Sequence, residues 1–240
     1  MPLLKTCLKN IEHFFFPATC ALCGKPGEDG RELCTECLTD LPYNAPACKC
    51  CALLLPDSAG AETLCGQCQK APPAYDRALS LLQYTYPVDH LIQRLKFNAK
   101  LHLAGLLGEL MAERLGQRTQ ALPELLIPVP LHSSRLRARG FNQALELARP
   151  IARRLGLALD YRSCARLRAT AVQSSLAAKD KRANVKGAFG VVKTIKARHV
   201  AIIDDVMTTG HTVEEFAGVL RKAGVTTIEV WVLARTARSG

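Results

Sequence analysis

The stretch Val200–Thr212, reading V-A-I-I-D-D-V-M-T-T-G-H-T, restricts the fold more than any other part of this 240-residue chain. An apolar run of strand character, Val200 to Ile203, ends in two adjacent carboxylates, Asp204 and Asp205. A short Thr/Gly turn follows, and a helix begins near Thr212. Val213, Phe216, Val219, Leu220 and Ala223 mark that helix at helical spacing, with Gly224 as its C-terminal stop. Such a strand–turn–helix unit presents unpaired backbone N–H groups at the helix start, where the dipole also favours an anion. Thr208, Thr209 and Thr212 add hydroxyl donors, and Gly210 lets the backbone approach closely. Phosphate fits that nest. No Gly-Lys-Ser/Thr follows and no G-x-G-x-x-G is present, which excludes the Walker and dinucleotide variants. Side-by-side aspartates can hydrogen-bond neighbouring ribose hydroxyls or anchor Mg²⁺ through water.

These thirteen residues closely resemble the phosphoribosyl pyrophosphate (PRPP) signature of type I phosphoribosyltransferases. The resemblance implies that Asp204 and Asp205 hold the ribose hydroxyls. It also implies that Met207, Thr208, Thr209, Gly210, His211 and Thr212 form the 5′-phosphate loop, with Mg²⁺ accompanying PRPP.

Eleven cysteines form the second constraint. Eight fall into four C-x-x-C pairs: Cys20 and Cys23, Cys34 and Cys37, Cys48 and Cys51, Cys65 and Cys68. Each pair supplies two thiolates about one tetrahedral edge apart, so four pairs provide ligands for two structural zinc ions, all-sulfur and therefore not catalytic. The spacing leaves open which pairs share a metal. Cys50 lies inside the third pair, while Cys7 and Cys164 read as small apolar residues. Gly and Pro crowd the segment and few apolar residues accompany them, so metal would supply folding energy that burial cannot. Residues 1–19 read as an amphipathic helix, because Lys5, Lys9, Glu12 and His13 interrupt the apolar core that an export signal needs. No apolar run approaches the ~20 residues of a membrane helix. A reducing cytoplasm is the expectation, and with it metal rather than disulfides.

Composition changes after Pro72-Pro73, giving an expected organisation of residues 1–19, a double zinc ribbon over 20–72 and a larger domain over 73–240. In that domain Arg77–Tyr86 reads as a strand, and Val88, Leu91, Ile92 and Leu95 mark a helix. Leu103 to Met111 reads as a second helix, Leu125–Val129 as a buried strand, Asn142–Leu155 as a helix and Thr226–Ala234 as a late strand. Strands alternating with helices predict an α/β fold with a mostly parallel sheet, whose ligands bind at the strands' carboxyl ends. Charge is uneven. The formal net charge is +11, yet His132–His199 alone holds sixteen Lys/Arg against three Asp/Glu. That excess suits either a solvated face or a polyanion site. Arg135, Arg137 and Arg139 alternate before Gly140 and read as a loop facing negative charge.

The ordered set of four C-x-x-C pairs, P-V-P-L…R-G-F-N-Q over Pro128–Gln143, Gln173…Arg182…Asn184…Gly187-Ala188-Phe189 and D-D-V-M-T-T-G-H-T resembles one family. It is the ComF family of competence-associated, phosphoribosyltransferase-like proteins with an N-terminal double zinc ribbon. The resemblance makes Leu131–Gly140 a pyrophosphate-side loop with Arg135 and Arg139 as contacts, and Leu167–Asn184 a flap. Lys179, Lys181, Arg182 and Arg137 become phosphate or nucleic-acid contacts. Ala52 departs from the family, whose members often carry Gly there. Two functions follow. One is a PRPP-binding protein that handles external single-stranded DNA in the cytoplasm, alongside competence or DNA-processing partners. The other is an active phosphoribosyltransferase of nucleobase metabolism. With aromatics at 5%, DNA contacts are expected to be mainly electrostatic.

Overall fold

The computed structural model describes residues 18–98, 100–169 and 185–237. Nearly all of the expected N-terminal helix, and residues 170–184 of the expected flap with Lys179, Lys181 and Arg182, lie outside them. Compact packing divides the chain into Met1–Pro42 and Tyr43–Gly240. The change of composition at residues 72–73 is thus not where the packing divides.

Within the first unit a tight loop closes through the Thr19–Pro26 bridge, and Cys34 caps helix α1 (Thr35–Thr39). No side chain of α1 is buried, so apolar packing does not hold this helix in place. The second unit begins with a similar ribbon, where Cys65 precedes helix α2 (Gly66–Lys70). Ala52 and Tyr75 from this stretch join the core of the sheet that follows.

That sheet contains β1 (Arg77–Gln83), β2 (Leu125–Pro128), β3 (Ala158–Leu159), β6 (His199–Met207) and β7 (Thr227–Arg235). Its order is β1-β7-β6-β2-β3, and every pairing is parallel. The two central strands, β6 and β7, read as near-continuous apolar runs because both faces are covered. Val200, Ile202, Val230 and Val232 meet Val213, Phe216 and Leu220 of helix α7 (His211–Lys222). The alternate residues Ala201, Ile203, Trp231 and Leu233 are also fully buried, and the sheet packs there against helices α4 (Leu101–Gly116) and α6 (Gln143–Leu155). Between the helices, a Cβ on Gly108 would meet Pro150 Cγ at 2.4 Å and Leu147 O at 2.7 Å, so only glycine permits this approach. Pro150 sits inside α6, giving up one ladder bond while its ring fills that notch. Helix α3 (Val88–Asn98) and the short α5 (Ser133–Arg139) follow β1 and β2 respectively. A separate antiparallel pair, β4 (Cys164–Arg166) with β5 (Phe189–Val191), completes the unit.

Towards the amino ends of the central strands, Glu229 is buried among polar partners. Arg118 donates to both its oxygens at 2.6 and 2.7 Å, Trp231 Nε1 donates at 2.8 Å, and His199 Nε2 lies 3.1 Å away. Burial would raise the Glu229 pKa, but the Arg118 and Trp231 hydrogen bonds hold it below the ordinary range. A carboxyl depressed in the folded state contributes stability that is present at neutral pH and lost on acidification. Glu229→Gln should therefore lower the unfolding free energy by about 3 kcal/mol in urea titrations at pH 7. It should also flatten the loss of stability below about pH 5.

Candidate functional site

Strand β6 outruns its neighbour. The β2–β6 ladder ends at Pro128 opposite Ile203, and Val129 N–H makes the last bond to Ile203 O at 2.9 Å. Asp204 and Asp205 come next, still within β6, beyond the carboxyl end of β2. They therefore lie inside the strand rather than just after it, and both are buried. Burial, and then the neighbouring Asp205 charge, push Asp204 up to about 8, so it keeps its proton at neutral pH. Burial acts the same way on Asp205, but Lys96 from α3 overcomes it and holds Asp205 below the usual range. The Lys96 ammonium pairs directly with Asp205 Oδ2, and Asp205 in turn keeps Lys96 charged despite its burial. That oxygen accepts no hydrogen bond of good geometry. A buried carboxylate oxygen with lone pairs to spare fits ribose hydroxyls or an Mg²⁺ hydration shell.

Two arginines lie within electrostatic reach of this pair, and Arg135 stands beside them. The segment expected as a loop, Leu131–Gly140, instead forms α5, capped by His132 accepting from Ser134 N–H and ended by left-handed Gly140 at φ 84°. Alternating arginines suggested an extended loop, but helical geometry places Arg135 and Arg139 four apart on one face. Both are half-buried, whereas Arg137 is exposed. Arg139 donates to Gln143 at 2.6 Å and feels the Asp205 charge. On β4, Arg166 is within electrostatic reach of Asp204 and Arg135. Asn142 pins the segment by donating to Val129 O and capping α6 at Ala144 N–H, each at 3.0 Å.

Thr208, Thr209 and Gly210 turn from β6 into α7, which begins at His211 with Thr212 in its first turn. Gly210, at φ 84°, occupies the cap position without a side-chain cap. Met207 is buried beneath the turn, close to the Tyr75 hydroxyl at 3.9 Å from its sulfur. Arg235, the last residue of β7, fastens the base of the loop. Its Nη1 donates to Met207 O at 2.9 Å and to Thr208 O, while its Nε donates to Cys51 O at 3.1 Å. One guanidinium thus ties the turn to the second ribbon.

The eight paired cysteines gather sequentially, as Cys20, Cys23, Cys34 and Cys37 and as Cys48, Cys51, Cys65 and Cys68, with all sulfurs in each group within 4.8 Å of one another. Cys23 and Cys34 sulfurs are 3.6 Å apart, and those of Cys51 and Cys65 3.7 Å. Tetrahedral Zn–S bonds of about 2.3 Å require sulfurs roughly 3.8 Å apart, so both groups fit structural zinc. Within the first group the thiols differ, for burial and the neighbouring thiols push Cys37 up. Burial raises Cys20, but backbone N–H donors from Cys23, Cys34 and Leu22 bring it to about 6. Cys50 is buried beside the second group but outside it, and Cys164 is buried in the sheet core. Ala52 adopts φ 54°, a left-handed conformation in which glycine carries no Cβ penalty. The four cysteines around it still converge.

Lys96, Arg166 and Arg235 escaped sequence reasoning. Lys96 left a trace, because it falls four residues after Ile92 on the stripe otherwise filled by Val88, Leu91 and Leu95. Arg235 left none. A strand-end arginine is unremarkable until its partners are known.

Fold and site together define a phosphoribosyltransferase-type α/β domain that follows paired four-cysteine ribbons. The double zinc ribbon domain family matches residues 11–69, and the phosphoribosyl transferase domain family matches residues 142–240. The chain is 36% identical over 226 residues to DNA utilization protein YhgH of Salmonella typhi, covering 92% of this chain and 98% of the relative. The Escherichia coli K12 protein of the same name is 35% identical over 225 residues, with the same coverage. Competence protein F of Haemophilus influenzae is 40% identical over 178 residues, 71% of this chain and 78% of the relative. The chain belongs to this family, the ComF family of competence-associated, phosphoribosyltransferase-like proteins.

Metal analysis of the purified protein should return two zinc ions per chain, falling to one in Cys37→Ser. Hydrogen exchange provides a test of the Arg235 clamp: Arg235→Ala should speed exchange across residues 207–212 by tenfold or more, equivalent to about 1.4 kcal/mol or more of lost local stability.

Proposed function

We propose that this protein binds Mg²⁺–PRPP at the β6–α7 crevice and uses that site while handling single-stranded DNA in the cytoplasm. The observation that carries the reading is the buried pair Asp204–Asp205, set against Lys96 just ahead of a helix start that has no side-chain cap. Its groups divide the work. Asp204 and Asp205 would take the ribose hydroxyls, with Asp204 donating its proton and Asp205 accepting. Backbone N–H groups from Thr208 to Thr212 and their hydroxyls would hold the 5′-phosphate. Arg135 and Arg139, with Lys96 displaced from Asp205, would face the pyrophosphate. Mg²⁺ would supply charge neutralisation between the acid pair and the diphosphate. The names borne by the relatives, DNA utilization and competence proteins, support the DNA side of the reading.

Part of the basic excess is paired with acidic side chains at the surface. Arg149 pairs with Glu146, Arg153 with Glu109, and Arg154 with Glu109 and Glu113. The arginines of α5 would contact DNA, with Lys179, Lys181 and Arg182 as further phosphate contacts. None of the helices among the described residues is long and apolar enough to cross a membrane. Turnover is the second reading, favoured by Arg135 and Arg139 sharing the face of α5 near Asp205. It predicts pyrophosphate release from PRPP with a nucleobase, abolished in Asp205→Ala.

The shared reading is tested by fluorescence anisotropy of a labelled single-stranded oligonucleotide. Affinity should fall log-linearly with salt and weaken at least tenfold when Arg135, Arg137 and Arg139 become Ala together. Adding Mg²⁺–PRPP should shift the oligonucleotide affinity in the wild type and leave it unchanged in Asp204→Ala/Asp205→Ala. Salt-insensitive binding, or a shift that survives in the double variant, would remove the proposal.

A further inference from the structure

Arg235 is buried, and its backbone is fixed on both sides, opposite Gln83 of β1 and Met207 of β6. From that anchored position one guanidinium reaches two places. Nη1 donates to Met207 O and Thr208 O, and Nε donates to Cys51 O at 3.1 Å. Cys51 belongs to the second four-cysteine group, so Arg235 grips the backbone of that group itself. Tyr75 makes a second link. Its hydroxyl lies 3.9 Å from Met207 Sδ, a Cβ on Gly210 would meet it at 3.8 Å, and its ring shares a core with Ala52.

The Cys51 carbonyl is held by the ribbon's own turn. Cys48 N–H donates to Leu53 O and Ala52 N–H to Cys48 O, each at 2.8 Å, and Cys65 N–H donates to Cys48 Sγ at 3.3 Å. The buried residues of this cluster are Cys48, Cys50, Cys65 and Cys68, with Cys51, Leu53, Leu55 and Leu64 packed against them. So little apolar material leaves the ribbon's order to the metal. Metal loss would release the Cys51 carbonyl, leave a buried guanidinium short of an acceptor, and loosen the turn that the same guanidinium holds.

We infer that Arg235 couples the second zinc site to the Thr208–Gly210 turn, so that zinc and an anion at the turn strengthen each other's binding. The anion half rests on the sugar-phosphate reading and extends it by giving that site a regulator. Conditions that strip zinc or oxidise the second ribbon's thiols then weaken the ligand while the acid pair stays intact. The first cysteine group, in the Met1–Pro42 unit, supplies the comparison.

Two ligand-free measurements test the coupling. Chelator competition should show one of the two zinc ions bound about tenfold more weakly in Arg235→Ala, and the other unchanged. Hydrogen exchange at residues 207–210 should quicken about tenfold in Cys65→Ser, as in Arg235→Ala, and stay at the wild-type rate in Cys37→Ser. Combining Cys65→Ser with Arg235→Ala should add nothing to the faster single variant, because both break one connection. Unchanged zinc affinities in Arg235→Ala, or exchange effects that multiply, would overturn the proposal; if Cys65→Ser fails to fold, the zinc affinities alone decide. With Mg²⁺–PRPP added, the wild type should bind one zinc about tenfold more tightly, and Arg235→Ala should show no such gain. PRPP that binds by calorimetry without altering zinc affinity, or a gain shared equally by both zinc ions, would also overturn it. Absence of PRPP binding to the wild type sinks the sugar-phosphate reading instead, and the ligand-free measurements still decide whether zinc sets the turn.

Discussion

Two carboxylates buried next to each other in a central strand are the condition to which the rest of this site answers. Both charged, they would repel in a medium where water cannot screen them. The fold eases the conflict by placing the Lys96 ammonium against Asp205, while burial and the Asp205 charge push Asp204 toward its protonated form. Much of the surrounding architecture serves that arrangement. β6 extends past β2, so that the pair has no strand beside it on that edge while β7 still pairs on the other. α3 brings a lysine to a position its apolar stripe would fill, and α5 places Arg139 within the field of Asp205. The result is a buried acid pair with a lysine against it at the carboxyl end of the sheet.

The cysteine ribbons then divide into different roles. The first belongs to a separate compact unit. The second packs into the core of the sheet domain through Ala52 and Tyr75, and reaches the Thr208–Gly210 turn through Arg235. Metal-dependent folding of that ribbon is thereby coupled to the shape of a loop far from it in sequence. This accounts for a packing division between Pro42 and Tyr43, where composition alone suggested a single cysteine-rich module ending near residue 72.

How much of this was legible depended on whether the signal was local. The β6–α7 unit, the eight cysteine ligands and the main helices were readable because periodicity, capping residues and C-x-x-C spacing are short-range. Which cysteine pairs share a metal was not, since sequential and crossed ribbons have the same spacing. The arginine segment misled for a related reason. Three residues two apart look extended, and only the His132 cap and the Gly140 turn reveal a helix. Lys96, Arg166 and Arg235 act across long sequence separations, so their roles exist only in the folded chain.

A crystal structure of the protein with Mg²⁺–PRPP would test the central claim most directly. The account predicts the 5′-phosphate within hydrogen-bond reach of the Thr208–Thr212 backbone and the ribose hydroxyls on Asp204 and Asp205. Lys96 should have left Asp205 for the pyrophosphate. A ligand seated elsewhere, or a crevice in which Lys96 stays on Asp205 at saturating PRPP, would contradict it.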